Sequence, residues 1–346
     1  MAHPHTHPRH SVAVVLQCLS AYARSAKPAR LAALVPPLPR PVVEVLSALA
    51  DAVLMLVLAV YYVLEAAVFE LLPRRLTSKS VDGQVVLVTG AAGGLGRHLA
   101  ARFARLGATI VAWDVNDDGV AETVRQVRAA GGLARGYVVD LADRQAVYRT
   151  AALVKREVGP VDILVNNAGV AFGRTFMHLT DRQIETTYNV NILAHYWTAK
   201  AFLPEMMRAN RGHIVTVSSV TGLMGCYRCT DYSASKFATV GFHESLFTEL
   251  KVQGYDGIHT TLVCPYFIDT GMFAGVKPRL MPMLEPARAA DDIVDAVRTN
   301  QVTVTLPGSI RYLLPLKSLF PSKLSWALMY RMMQGPQAMM GMKPRL

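Results

Sequence analysis

Cysteine is scarce, with four residues in 346: Cys18, Cys226, Cys229 and Cys264. That is too few for a disulfide framework in a chain of this size and implies a reducing compartment. Cys226 and Cys229 form a lone CxxC. A structural zinc site wants four ligands, and a thioredoxin-like motif wants the start of a helix after a strand, so the pair reads as loop cysteines and no metal is expected. No zinc-finger or RNA-binding signature accompanies the formal charge of +11, and no internal repeat is visible. Acidic residues are outnumbered, 25 against 36 Lys and Arg. The excess points to an anionic partner: nucleic acid, a phosphate-bearing cofactor or an acidic lipid surface. Its clusters, around Arg24–Arg40, Arg74–Lys79 and Arg311–Arg345, flank apolar segments and favour membrane lipids over nucleic acid.

The chain also lacks an uninterrupted apolar run of membrane-spanning length. "VLSALADAVLMLVLAVYYVL", Val45–Leu64, carries Asp51, and its charge-free part, Ala52–Leu64, is thirteen residues. Thirteen residues make about 20 Å of helix against a hydrocarbon core of roughly 30 Å. The run lies some fifty residues in and is followed by Glu65 and Glu70, so it is not a cleavable signal. A tight span and an in-plane anchor both remain open. A core helix is disfavoured by the proline-rich stretch before it, Pro36, Pro37, Pro39 and Pro41. The His/Pro start, with His3, His5, His7 and His10, reads as a tail rather than a metal site.

From Val81 the pattern alternates. "VVLVTG", "TIVAWD", "YVVD" (137–140), "ILVNNAG", "HIVTVSS", "TTLVCP" and "VTVTLPG" are short β-branched runs, separated by helical stretches such as Leu95–Leu106, Ala121–Ala130, Arg144–Val158 and Ile184–Arg208. Strands buried on both faces and alternating with helices predict an α/β fold, a Rossmann-type doubly wound parallel sheet of about seven strands. Three regions follow: residues 1–80 as tail and anchor, 81–310 as the catalytic domain, and 311–346 as a basic, apolar tail suited to lying on a membrane.

Directly after the first strand, "TGAAGGLG" opens a helix, with Gly90, Gly94 and Gly96 free to let the backbone approach a pyrophosphate held on helix amides. Asp114 ends the second strand, eighteen residues beyond Gly96. A carboxylate there accepts from an adenosine ribose 2′-hydroxyl and repels a 2′-phosphate, which favours NAD over NADP; an ordinary strand-end aspartate is the alternative. Tyr232 and Lys236 stand one helical turn apart, so that the ammonium faces the phenol and favours its ionised form.

The TGxxxGxG loop, "NNAG" (Asn166–Gly169), Asn191 in "NVNILAHYW", Ser219 and "YSASK" together resemble the short-chain dehydrogenases/reductases, over about Val81–Gly308. "WDVN", "HYWTAKAFLPEM" and "SKFATVGFHESL" look like the membrane-associated group containing retinol dehydrogenase ten, epidermal retinol dehydrogenase two and the 17-beta-hydroxysteroid dehydrogenases eleven and thirteen. The resemblance implies hydride transfer by a set of Asn191, Ser219, Tyr232 and Lys236. Tyr232 is the base, Lys236 lowers its pKa and holds the nicotinamide ribose, Ser219 bonds the forming carbonyl, and Asn191 positions a water. It further implies that Gly90, Gly94, Leu95, Gly96, Asp114, Asp140, Asn167, Tyr232, Lys236 and Thr270 hold NAD, with Asp140 at adenine and Thr270 at the carboxamide. The implied substrate is a lipophilic alcohol, retinol first and a hydroxysteroid second. The implied place is the endoplasmic reticulum membrane or a lipid droplet, facing the cytosol, and a homodimer is carried as an expectation. Tyr266 stands where glycine is common and either shapes the pocket or only packs. A catalytically silent membrane-surface protein is the rival from another class, and the intact four-residue set argues against it.

Overall fold

The computed structural model describes residues 39–71, 77–279, 281–332 and 334–344. Cys18, the His/Pro start, and Arg74 and Arg75 lie outside the described residues. Two compact units divide the chain, one up to Leu72 and one from Pro73 to Leu346.

The first unit contains α1, Arg40–Leu71, a single helix of 32 residues. Its Arg40–Glu65 part, 26 residues at mean hydropathy 2.3, is long and apolar enough to cross a membrane. At 1.5 Å per residue this part alone is about 39 Å, so the shortfall expected from the charge-free run disappears. The helix continues through Asp51 rather than breaking there. Val43, Val45, Leu46, Met55, Val57 and Tyr62 are all exposed. They lie around the helix rather than along one stripe, as a helix buried in lipid requires.

The second unit is built on seven parallel strands in the order β3-β2-β1-β4-β5-β6-β7. They are β1 Val85–Thr89, β2 Thr109–Asp114, β3 Leu133–Val138, β4 Ile163–Asn166, β5 Gly212–Val217, β6 Ile258–Pro265 and β7 Thr303–Leu306. All four residues of β4 and all six of β5 are buried, which is why these strands read as continuous apolar runs instead of alternating ones. Successive side chains leave by opposite faces. Val86, Val88, Ile110 and Val165 join Leu99 and Phe103 of α2 (Gly94–Ala104) and Ile293 of α8 (Pro286–Arg298) in one core. Leu87, Val111, Trp113 and Leu164 join Val147 of α4 (Arg144–Glu157) and Phe202 of α6 (Ala194–Ala209) in the other. Each fully buried Leu, Ile or Phe contributes roughly 1.5–3 kcal/mol relative to exposure.

Remaining helices are α3 (Asp117–Ala129), α5 (Asp181–Tyr188) and α7 (Thr230–Val252), and then the short α9 (Ile310–Leu313), α10 (Leu316–Leu319), α11 (Ser322–Ala327) and α12 (Gly335–Met340). Several boundaries differ from the sequence reading, among them the start of β3 at Leu133 and of α3 at Asp117, and two bear on the site. β3 ends at Val138, two residues before Asp140. The helix expected over Ile184–Arg208 is interrupted by a π turn, Asn189–Leu193, between α5 and α6. Such a turn inserts one residue into the helical ladder and is common at functional sites. The order of strands reverses between β1 and β4, which opens a crevice at their carboxyl ends.

Candidate active site

The crevice begins at the loop from β1 to α2. Gly90 and Gly94 have φ of 68° and 51°, where a side chain would be strained. A methyl group on Gly96 would collide with the Gly90 carbonyl. Gly93, ahead of α2, supplies no side-chain cap, so the amides of the first turn, including Leu95, remain available to an anion. Residues the sequence did not single out hold the loop in shape. The Thr123 hydroxyl donates to Ala91 O at 2.8 Å, and Arg97 donates to Ala92 O and to Thr123. Asn167 spends its side-chain amide on Thr89 O at 2.9 Å, while its backbone N–H reaches the Thr89 hydroxyl at 3.0 Å. Asn167 thereby fastens the loop to the end of β4.

Asp114 accepts from Ala92 N–H at 3.0 Å and from Asn116 N–H at 3.1 Å. The carboxylate is thus fixed against the glycine loop with lone pairs left for a ribose hydroxyl. Asp140 is exposed beyond β3 and accepts from Ala142 N–H at 2.9 Å. Thr270 lies over Gly94, close enough that a methyl group on that glycine would touch its Cβ at 3.1 Å. Uncapped amides, a glycine cradle and a fixed carboxylate at one strand-end crevice suit a dinucleotide.

Asn191, Ser219, Tyr232 and Lys236 meet beside this cradle. All four are buried. The π turn places Asn191 so that its side chain clasps Val170, donating to its carbonyl at 3.0 Å and accepting from its N–H at 2.8 Å. Thr239 on α7 donates to the Asn191 main-chain carbonyl at 3.1 Å. Lys236 donates to Val217 O at 2.9 Å at the end of β5, and burial lowers its ammonium pKa to about 8. Gly169 leaves room where Asn191 and Lys236 converge.

Ser219 follows β5, and its hydroxyl accepts from Thr221 N–H at 3.1 Å and donates to Pro265 O at 3.4 Å. Burial pushes the Tyr232 pKa well above the ordinary phenol value, the Cys229 and Cys226 thiols push it further, and the Ser219 hydroxyl pulls it down. This corrects the expectation from the sequence. Lys236 sits 5.7 Å from the centroid of the Tyr232 ring, but desolvation governs the phenol of the free protein.

A cavity of about 460 Å³ opens on Ser219. Its wall includes Val220, Met224, Phe237 and Phe273 from the domain and Trp326, Tyr330 and Pro336 from the C-terminal segment, so it is chiefly apolar. Phe273 meets Tyr232 edge to face at 5.7 Å. Tyr266 both lines the cavity and packs on Phe267 at 4.8 Å, so its two readings hold together. The C-terminal wall was missed by sequence reasoning: Ala338, Met339 and Met342 are buried, the latter two in the same cluster as Tyr232. The expected tail at 311–346 is thus also part of the pocket. Cys226 and Cys229, read as loop cysteines, stand directly before α7, and Cys226 lines the cavity.

The short chain dehydrogenase family profile matches residues 84–280. Epidermal retinol dehydrogenase 2 of Homo sapiens is 46% identical over 269 residues, covering 77% of this chain and 86% of that protein. Estradiol 17-beta-dehydrogenase 11 of Rattus norvegicus is 42% identical over 275 residues, 80% of this chain and 92% of that one. Among solved structures, a short chain dehydrogenase/reductase from Burkholderia phymatum in complex with NAD superposes with a TM-score of 0.64 at 26% identity, covering 70% of this chain and 95% of its own. The chain is an oxidoreductase that belongs to the short-chain dehydrogenase/reductase family.

Proposed function

We propose that the protein oxidises a lipophilic alcohol, retinol first, with NAD. The observation that carries the reading is the buried set of Ser219, Tyr232 and Lys236 beside an apolar cavity that opens on Ser219, with Lys236 one turn beyond Tyr232 along α7. Bound NAD supplies the hydride acceptor. Ser219 orients the substrate oxygen, the phenolate form of Tyr232 takes its proton, Lys236, its own pKa lowered by burial to about 8, stabilises that phenolate and holds the nicotinamide ribose, and Asn191 positions the water that links Lys236 to solvent. A 17-beta-hydroxysteroid is the second reading, favoured by the likeness to estradiol 17-beta-dehydrogenase 11. Microsomes containing the chain, supplied with NAD or NADP and with retinol, oestradiol, androstanediol or long-chain alcohols, test it. Retinal formed with NAD is the expected product, and inactivity towards every alcohol would overturn the reading.

Cofactor choice rests on Asp114. Asp114→Ser removes a carboxylate from the ribose end of the crevice and is expected to weaken NAD and shift preference towards NADP, by about tenfold or more if one charge-assisted hydrogen bond is lost. Ratios of kcat/KM for the two cofactors measure it. A wild type that already prefers NADP would refute the role assigned to Asp114.

Membrane attachment is assigned to α1 and to the C-terminal segment, on the endoplasmic reticulum or lipid droplets with the catalytic unit in the cytosol, and the homodimer stays part of the proposal. Leu319, Leu324, Trp326 and Tyr330 are exposed alongside Lys317, Lys323 and Arg331, a mixture that suits the interface of a bilayer. Deleting residues 1–80 should therefore reduce attachment without abolishing it. Alkaline carbonate extraction of both chains, with protease added to sealed microsomes, reads the outcome. Complete release of the full-length chain, or a catalytic unit shielded from protease, would contradict the assignment.

A further inference from the structure

The mechanism leaves one reactive group in the pocket unused. Cys226 and Cys229 flank a tight turn, Tyr227–Arg228, that leads straight into α7. The ends of such a turn lie within about 7 Å between Cα atoms, inside the range a disulfide accepts. Arg228 holds the turn with φ of 59°, a left-handed conformation unusual for a residue with a side chain. Its guanidinium donates to Gly173 O at 2.8 Å and to Met340 O at 3.0 Å, which offsets that strain and locks the turn against α12. Cys226 packs against the buried cluster that contains Cys229. Cys229 is buried against Tyr232, Phe273 and Met339, whereas Cys226 is half-buried and lines the cavity. Cys226 thus opens on the cavity while Cys229 lies buried behind it, the placement of an attacking and a resolving thiol. Cys264 is different: it is buried, absent from the cavity wall, and pushed up to about 12 by desolvation.

We propose that Cys226 and Cys229 form a second chemical site in this cavity, a dithiol that reduces lipophilic hydroperoxides. The Cys226 thiolate attacks the terminal peroxide oxygen and the O–O bond breaks. The departing alkoxide takes the proton that Cys226 gave up, leaving an alcohol and a Cys226 sulfenic acid. The Cys229 sulfur then attacks Cys226 Sγ, the S–O bond breaks, and hydroxide leaves as water with the Cys229 proton. One hydroperoxide and two thiols become one alcohol, one water and one disulfide, with no other reactant. A small dithiol reductant restores the pair for a further cycle. The substrate class follows from the wall. Met224, Phe237 and Phe273 offer apolar surface for an acyl chain, and nothing comparable for hydrogen peroxide. The alcohol formed belongs to the class of compound that Ser219 and Tyr232 face, so the two sites share a pocket. This activity rests on the cavity and the thiols, and stands or falls without the alcohol-oxidation reading.

The test uses the full-length chain in detergent, reduced, freed of reductant and without nucleotide. One equivalent of linoleic acid hydroperoxide is added, and mass spectrometry reads both the hydroxy acid and the peptides joined between Cys226 and Cys229. Close to one alcohol and one disulfide per chain are expected. The hydroperoxide should react at least about tenfold faster than hydrogen peroxide, since burying two methylenes of its chain already contributes that factor. Cys226→Ser should abolish alcohol formation. Cys229→Ser should still give about one alcohol but stop at the sulfenic acid, captured by dimedone. Excess long-chain alcohol should slow the wild-type reaction, a measurement that needs no variant to fold. Absence of the Cys226–Cys229 link, undiminished alcohol from Cys226→Ser, equal rates with hydrogen peroxide, or no competition would each overturn the proposal.

Discussion

Replacing Tyr232 by Phe is expected to lower alcohol turnover by about two to four orders of magnitude, the range of a lost general base, while the protein stays folded. The ring is what the structure uses. It packs in a cluster with Phe273, Met339 and Met342, and Phe preserves every one of those contacts. The hydroxyl is a lesser part, and losing one polar contact costs at most about 0.5–1.5 kcal/mol of stability. A fall confined to kcat, with the thermal midpoint shifted by only a few degrees, would distinguish loss of the base from loss of the fold. Because burial holds the phenol above its ordinary range in the free protein, the wild-type oxidation rate is also expected to climb with pH through neutrality and into the alkaline region. Retention of more than about a tenth of the wild-type rate by the Phe variant would move the base elsewhere.

The sheet was legible in the sequence because its strands are covered on both faces: "ILVN" and "GHIVTV" have no exposed side to betray with a polar residue. The glycine loop was legible for a different reason, since a backbone approach closed to any side chain admits only one residue type. What escaped depends on contacts distant in the chain. The π turn at Asn189–Leu193 is a matter of one extra residue in a hydrogen-bond ladder, to which composition is blind. Trp326, Tyr330 and Pro336 read as an interfacial tail because nothing local shows that they close a cavity reaching Ser219. The direction of the Tyr232 pKa was missed for a related reason. Sequence spacing reveals the neighbouring cation, whereas desolvation, the larger effect here, exists only once the surrounding shell is assembled. The CxxC pair was discounted for want of a helix start, and the helix begins at the very next residue, Thr230.

Acid should unfold this protein well above the pH at which its carboxylates alone would fail, because three histidines are buried without charge. His195 on α6 has neither ring nitrogen paired and touches the edge of Phe242 at 6.2 Å. Burial first, then Lys236 and His243, lower its pKa to about 3. Burial alone lowers that of His243 to about 4. His213 at the start of β5 is bridged at 2.7 Å to Lys79 and at 2.8 Å to Thr261, and burial, reinforced by Lys79, His259 and His243, lowers it well below the ordinary imidazole value. Lys79 donates to Nδ1, so protonating that nitrogen would set two cations face to face. Between each lowered folded pKa and the unfolded value near 6.5, the unfolded chain binds more protons than the folded one, and stability therefore falls as pH falls through that window. At about 1.4 kcal/mol per pH unit, His195 and His243 each cost about 3 kcal/mol by pH 4. Two such losses, with His213 adding to them, are comparable with the 5–15 kcal/mol that holds a typical domain together. The expected result is a chemical-denaturation midpoint that is flat from pH 8 to 7, drops steeply below 6.5 and vanishes near pH 4. His195→Gln, which removes one titrating ring, should flatten the curve by about a third. A midpoint unchanged between pH 7 and 4.5 would mean that these rings reach water, or find partners, when they protonate.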